Sequence, residues 1–200
     1  MNEAAYNPAT GGAKMDFEGA MSYSDYLHLA PILSAQKSLS TAHDELLFII
    51  QHQTSELWMK LILHELDAAR KALSSGDTAI MIKMLARVSR IFEQLNNQWD
   101  VLRTMTPADY TAFREALGPS SGFQSYQYRM IEYVLGNRNP NMLKPHAHMP
   151  DAHAMLSKEL ARPSLYDEVL RHLCRTMDGN ENNVPTPQLD TPHTALPQIQ

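Results

Sequence analysis

Between residues 44 and 73 the positions Leu47, Ile50, Thr54, Leu57, Trp58, Leu61, Ile62, Leu66 and Ala69 recur at helical spacing. Leu46, Phe48, Ile49 and His52 widen that arc in the first half, so the pattern predicts a long helix buried on more than one side. The run from Ser40 to Glu45 supplies cap candidates and acidic first-turn residues, and Gly76 marks the stop. A second face, made of Ile80, Met84, Val88, Ile91, Phe92, Leu95, Trp99 and Leu102, predicts another long helix over 78–104. The short turn between the two makes them an antiparallel hairpin.

Shorter elements follow. Thr106 as cap, Pro107 and Asp109 open a helix over 107–117. The run GPSSG at 118–122 is a break, and 123–135 is helical with Tyr126, Met130, Ile131 and Val134 inward. A loop covers 136–141, and helices cover 151–160 and 164–175. Upstream, 21–30 reads as a short helix or turn with Tyr23, Tyr26, Leu27 and Ala30 on one side, and 31–41 as a loop. Residues 1–20 read as a mobile arm, 21–176 as one helical domain, and 177–200 as an irregular or disordered tail. With no strand-type alternation and no repeat, the fold class is all-α: a helical bundle on two long antiparallel helices.

Composition narrows the function classes. The 200 residues are 44% hydrophobic and 20% charged, with a net charge of -5 and no basic cluster for nucleic acid. The longest aliphatic or aromatic run, Leu46 to Ile50, is far short of a membrane span. Residues 1–15 lack the apolar stretch of a signal peptide. The single cysteine, Cys174, excludes an intrachain disulfide framework and suits a reducing, cytoplasmic compartment.

Three groups of residues are candidates for chemistry. Phe48 and His52 lie one helical turn apart, with Ile49, Ile50 and Gln51 between them. They can wall a ligand pocket or sit as ordinary core. Tyr110 and Arg114 have the same spacing and lead into Ser120, Ser121 and Gly122. That set can clamp a small carboxylate, or Arg114 can simply satisfy an acidic group or carbonyls at a helix end. His146, His148 and His153 lack the spacing and partners of a zinc site and read as solvated loop histidines, so no metal-ligand set is assigned. Cys174 has no neighbour that implies a nucleophile.

Longer motifs carry a resemblance. The run FIIQHQTSELW from Phe48 to Trp58, and GPSSGFQS from Gly118 to Ser125 with Tyr128 and Arg129 after it, closely resemble tryptophan 2,3-dioxygenases. So do YSDYL from Tyr23, MLARV from Met84, Trp99, LGN from Leu135 and PSLYD from Pro163. The likeness runs in order over roughly residues 16–176. It implies an all-helical, homotetrameric, haem b-dependent enzyme. Such an enzyme adds both atoms of O2 across the indole C2–C3 bond of L-tryptophan and yields N-formyl-L-kynurenine, the opening step of the kynurenine route. Carried over by position, Phe48 packs on the indole and His52 bonds its N–H. Arg114 holds the carboxylate with help from Tyr110, and Leu117 adds apolar wall. Ser121 and Gly122 belong to the loop beside haem and substrate, and Trp99 lies near the haem. Tyr23, Tyr26 and Leu27 reach a neighbouring subunit's pocket.

One part of the family pattern has no counterpart in these 200 residues. The proximal haem ligand of the family is a histidine in a Phe-Arg-His segment followed by a Gly/Thr-rich loop, and neither occurs here; His172 and His193 sit in no such segment. The expectation for the chain by itself is a truncated form, inactive without that ligand. The alternative is a non-catalytic helical scaffold that keeps an amino-acid pocket without haem. A related haem enzyme of indole oxidation is a third reading.

Overall fold

The computed structural model describes residues 12–177, and among them every regular element is a helix. The first eleven residues of the expected arm, and the tail from 178 onward, lie outside the described residues. The chain divides into two compact units between Ser38 and Leu39.

The first unit holds α1 (Tyr23–Leu27) and α2 (Leu29–Leu33). Sequence reasoning expected one short element over 21–30 and a loop after it. Two helices form because His28 takes the left-handed conformation, φ 49° and ψ 48°, which ends α1 and starts α2. Pro31 is tolerated within α2 because first-turn N–H groups have no partner inside the helix. Ser22 and Asp25 cap α1 reciprocally.

The second unit is built on α3 (Glu45–Ser74) and α4 (Thr78–Asn97). Glu65 meets Arg87 at 2.7 Å, and Ser55 accepts a bond from Gln98 at 2.6 Å. Moving back along α3 from Glu65 to Ser55 moves forward along the chain from Arg87 to Gln98 at the end of α4, which makes the pair antiparallel. The expected helix over 78–104 is interrupted at Gln98, and α5 (Trp99–Leu102) follows as a separate short piece. Next come α6 (Pro107–Arg114), α7 (Tyr126–Leu135), α8 (Pro150–Leu160) and α9 (Leu165–Met177). Short 3-10 turns over Glu115–Leu117 and Gly122–Gln124 replace the ends of two expected helices, and another, Pro140–His146, occupies the expected loop and linker. Gly136 ends α7 at φ 116°, against Ser164 and Tyr166, where an added Cβ would meet the Tyr166 Cβ at 3.4 Å.

The core lies where α4, α7 and α9 pack on α3. Met59, Ile62, Leu66, Ala69 and Leu73 meet Val88 and Ile91 of α4, Ile131 and Val134 of α7, and Leu165 of α9. A second cluster joins Tyr133 of α7 to Leu156 and Leu160 of α8. The predicted stripe on α3 is therefore shifted: Leu57 is 54% exposed and Ile50 46%, while Met59 and Leu73 are inside. On α4, Ile80 is likewise outside.

Buried charges are paired across elements. Arg70 of α3 donates to both carboxylate oxygens of Glu159 on α8 and to the Pro163 carbonyl. Arg138 donates to Asp167 at 3.1 Å, and the same carboxylate caps α9 by accepting from Ser164 N–H at 2.7 Å. At the start of α3 the Asp44 side chain caps nothing. Instead the buried Glu45 carboxylate folds back and accepts from Leu39 N–H, Ser40 N–H and the Ser40 hydroxyl at 2.6–2.8 Å. The Leu39 amide first, then the Ser40 hydroxyl, hold the Glu45 carboxyl below its ordinary range.

Two predictions follow from these pairs. Glu159→Ala takes the buried carboxylate from Arg70, leaving it the Pro163 carbonyl and the more exposed Asp67 at 3.6 Å, and should cost about 3 kcal/mol in urea unfolding, whereas Arg90→Ala, at an exposed pair with Glu93, should cost under about 1 kcal/mol. Because the folded chain keeps Glu45 ionised to lower pH than the unfolded chain, its contribution is present above about pH 4.5 and is lost as pH falls through its folded pKa. Glu45→Gln should lower stability at pH 7 and flatten the acid limb of stability against pH; an unchanged limb would refute the assignment.

Candidate active site

Half-way along the N-terminal part of α3, the backbone sets the state of an imidazole. His52 Nδ1 lies 2.8 Å from the Phe48 carbonyl oxygen one turn earlier. A carbonyl only accepts, so Nδ1 is a protonated nitrogen, and in the neutral form of the ring Nε2 is the one that keeps its lone pair. The neutral ring therefore presents an acceptor away from its own helix. Its face is held by Phe48, with ring centroids 4.1 Å apart at a 37° tilt.

Two further rings complete this cluster, and both come from α6. Tyr110 lies 5.9 Å from Phe48, and Phe113 lies 5.5 Å from Phe48 and 5.4 Å from Tyr110, edge-on to each. Phe113 is 1% exposed and fixes the other two. Sequence reasoning missed it. Its signal was an apolar residue on the face of α6 opposite the polar start, three residues after Tyr110. The capping box of Thr106 and Asp109, with Pro107 at the first helical position, sets where α6 begins and so where Tyr110 and Phe113 stand.

His52 also lines a cavity of about 550 Å3. Met59 of α3, Phe92 and Leu95 of α4, Trp99 of α5 and Ile131 of α7 give it apolar walls. Gln51, Gln98, Gly122, Phe123 and Arg129 complete the part that matters for chemistry. Its volume is in the range of small-molecule and cofactor sites. Arg129 is the guanidinium among the lining residues. It is 7% exposed, paired with Glu132, and lies 5.3 Å from the Phe123 ring centroid and 5.8 Å from that of Tyr128. Its Nε–H has no protein acceptor, and neither the Gln51 Nε2 donor nor the Gln98 Oε1 acceptor has a protein partner. Gln127 fastens α7 to α3 by donating to the Glu56 carbonyl and carboxylate, and Ser125 caps α7, so the Arg129 wall is held at its helix start.

The other expected residues are distributed unevenly. Gln51, Trp99 and Gly122 do line the cavity with His52. Ile49 is half-buried and Ile50 half-exposed on α3, and neither lines it. Arg114 donates to the Gly118 carbonyl at 2.8 Å, which is the helix-end arrangement that sequence reasoning kept as the alternative to a clamp. Leu117 lies in the 3-10 turn after α6, and Ser121 uses its hydroxyl to cap the turn at Gly122. Tyr23 and Tyr26, in the first unit, are 74% and 72% exposed, and Leu27 is partly buried. The reading of the three late histidines as solvated loop residues is wrong for one of them. His146 is fully buried, because the 3-10 turn over Pro140–His146 carries it inward. No group of His, Cys, Asp or Glu among the described residues is arranged to hold a metal ion.

Comparison with known proteins gives a consistent result. A family model described as Tryptophan 2,3-dioxygenase matches residues 9–195. The tryptophan 2,3-dioxygenase of Ruegeria sp. (strain TM1040) is 72% identical over 200 residues, covering 100% of this chain and 72% of the relative. That of Bradyrhizobium sp. (strain ORS 278) is 66% identical over 175 residues, covering 88% of this chain and 63% of the relative. That of Ruegeria pomeroyi is 57% identical over 197 residues, covering 98% and 70%.

Removing the buried ring should loosen this arrangement. Phe113→Ala should destabilise the fold by about 3–5 kcal/mol, and Phe113→Leu by clearly less, as measured by urea unfolding. Equal and negligible costs would mean that Phe113 does not organise the ring cluster.

Proposed function

We propose a function from one premise: the chain belongs to the tryptophan 2,3-dioxygenase family. The reading is oxidative opening of the indole ring of L-tryptophan by O2 to N-formyl-L-kynurenine, with haem b as cofactor, in tryptophan breakdown by the kynurenine route. The observation that carries it is the 2.8 Å hydrogen bond from His52 Nδ1 to the Phe48 carbonyl, which leaves Nε2 as the free nitrogen of the neutral ring. An Nε2 lone pair, beside an aromatic face and at the wall of a cavity, is what an indole N–H needs as acceptor.

The cavity suits the cofactor. A haem is a flat apolar macrocycle with carboxylates on one edge, and the cavity combines apolar walls with one buried guanidinium, while its lining carboxylate, Glu56, is held by Gln127. Phe92, Leu95 and Trp99 would hold the macrocycle, and Arg129 would meet its carboxylates. When bound, the iron supplies the activation of O2 that indole cleavage requires. No described residue is assigned as its axial ligand.

The chain's own residues bind and orient the substrate. His52 Nε2 accepts the indole N–H and holds that proton at the nitrogen, which fixes the ring's rotation. Phe48 packs on the indole face, and Phe113 keeps Phe48 from turning away. Arg114 would exchange the neutral Gly118 carbonyl for the tryptophan carboxylate, a stronger, charge-assisted partner. Tyr110, two-thirds buried and against Phe48, stands one turn before Arg114 and would add a hydroxyl donor. Leu117, Ser121 and Gly122 would close the loop side of the same space, with Ile49, Ile50 and Gln51 continuing the α3 wall.

A homo-oligomer, tetrameric as the family resemblance implies, completes the proposal. Tyr23, Tyr26 and Leu27 would enter a neighbouring copy's pocket, which accounts for two tyrosines left in water. The half-exposed Leu46, Ile50 and Leu57 on α3 would lie at such contacts. No described helix is long and apolar enough to cross a membrane, and a cytoplasmic setting is proposed with the fold. Nothing observed favours the non-catalytic scaffold over this reading.

Spectroscopy and calorimetry test it together. Haem added to the purified chain should give a bound Soret band that shifts on adding L-tryptophan; a chain that stays colourless refutes the haem assignment. Arg114→Ala should weaken L-tryptophan binding by about 2–4 kcal/mol and leave indole binding nearly unchanged. Equal losses for both ligands would refute the carboxylate clamp.

A further inference from the structure

The first unit has no interior of its own. None of its described residues, 12 to 38, is buried, and neither α1 nor α2 contains a buried residue. Yet it carries large apolar side chains in water: Tyr23 is 74% exposed, Tyr26 72% and Leu33 71%. Side chains of this kind gain stability only against a surface supplied from elsewhere. Such an arm also gains from a fixed root, because one that starts from a loose point must be ordered afresh at every encounter.

The root is where Glu45 acts. The second unit begins at Leu39, and Leu39 and Ser40 are the residues that the Glu45 carboxylate holds. Its Oε1 accepts from the Leu39 N–H at 2.7 Å, and its Oε2 accepts from the Ser40 N–H at 2.8 Å and from the Ser40 hydroxyl at 2.6 Å. The same hydroxyl oxygen accepts from the Ala42 N–H at 3.1 Å, which ties the turn into α3 to the clasp. Apolar burial does not help to hold this segment: no side chain from 34 to 44 is buried, and Leu39 is 69% exposed.

A helix cap would satisfy the first-turn amides of α3. Glu45 instead reaches back five and six residues along the chain. It is 1% exposed, and the groups that meet it are neutral donors with no cation among them. A buried charge of this kind is tolerated only while its hydrogen bonds are made. Carboxylate and root are therefore locked together. Glu45 cannot stay inside without Leu39 and Ser40 in place, and those two cannot leave without stranding the charge.

We propose that Glu45 is a positioning residue for the arm: by fixing Leu39 and Ser40 it sets the point from which residues 21–38 start, and so delivers Tyr23, Tyr26 and Leu27 to a neighbouring copy of the chain. This role rests on the reading of those three residues as entering a neighbour's pocket, and it names the group on which their delivery depends. Glu45 does not line the cavity, so it acts through the arm and not through a ligand.

Amide exchange, proteolysis and association of the 200-residue chain test this with one set of variants. At pH 7 the Leu39 and Ser40 amides should exchange about tenfold faster in Glu45→Ala than in the unmodified chain, with amides in the middle of α3, such as that of Leu66, unchanged. Trypsin should cut after the exposed Lys37 about tenfold faster in the same variant. Sedimentation should show self-association weakened about tenfold by Glu45→Ala, and adding Glu45→Ala to a Tyr23→Ser, Tyr26→Ser variant should weaken it no further. Ser40→Ala removes one donor ahead of α3 and should give a smaller loss of the same kind; it decides should Glu45→Ala fail to fold. Unchanged protection of Leu39 and Ser40 in Glu45→Ala overturns the clasp. Lost protection with unchanged association overturns the positioning role, and so does an effect of Glu45→Ala that persists in full in the tyrosine variant. An unmodified chain that stays monomeric while Leu39 and Ser40 are protected overturns delivery through the neighbouring-copy reading, a failure distinct from that of the clasp.

Discussion

A helix of thirty residues that is covered on several sides cannot keep all of its polar residues in water, and this constraint governs the second unit. Helix α3 buries Glu45, Gln51, Glu65 and Arg70 along with its apolar face. The three charged ones each force a partner on a specific neighbour. Glu45 draws the incoming segment back over the helix start, Glu65 sets the register of α4 through Arg87, and Arg70 ties down α8 through Glu159. The apolar contacts supply the driving force for collapse, but these polar pairs choose among the packings that collapse would allow. Gln51 differs, because it faces a cavity rather than a partner helix. At that turn of α3 the interior stops being core and becomes a site.

Much of this was legible from periodicity. The two long helices, their turn at Gly76 and their antiparallel sense follow from apolar spacing and one stop signal. What periodicity did not show was phase. It took Ile50 and Leu57 as inward, yet both are about half exposed, because α4, α7 and α9 together cover a face centred on Ile62, Leu66 and Ala69. A broad apolar arc does not say which part of it neighbours will cover. The interruptions were equally hidden. Gln98 has ordinary helical angles, φ -63° and ψ -20°, and no glycine or proline announces the break beside it.

The site was legible in proportion to how local its parts are. Phe48 and His52 are one turn apart on one helix, so spacing alone put them together, and the rings do meet. Phe113 and Arg129 are brought in from α6 and α7, and their importance depends on tertiary contacts that no local pattern records. His146 shows the same limit from the other side. A Pro- and His-rich segment has linker composition, yet its 3-10 turn carries the last histidine into the interior. Composition described the segment correctly and its destination incorrectly.

The bond from His52 to the Phe48 carbonyl has a consequence for how this wall can vary. The group that sets the imidazole's protonated nitrogen belongs to the main chain, and every amino acid offers the same carbonyl. Residue 48 can change in size or aromaticity without altering which nitrogen of His52 is free. Shape and electronic state at this wall are therefore separable by mutation, and selection can tune one while the other is inherited unchanged from the helix.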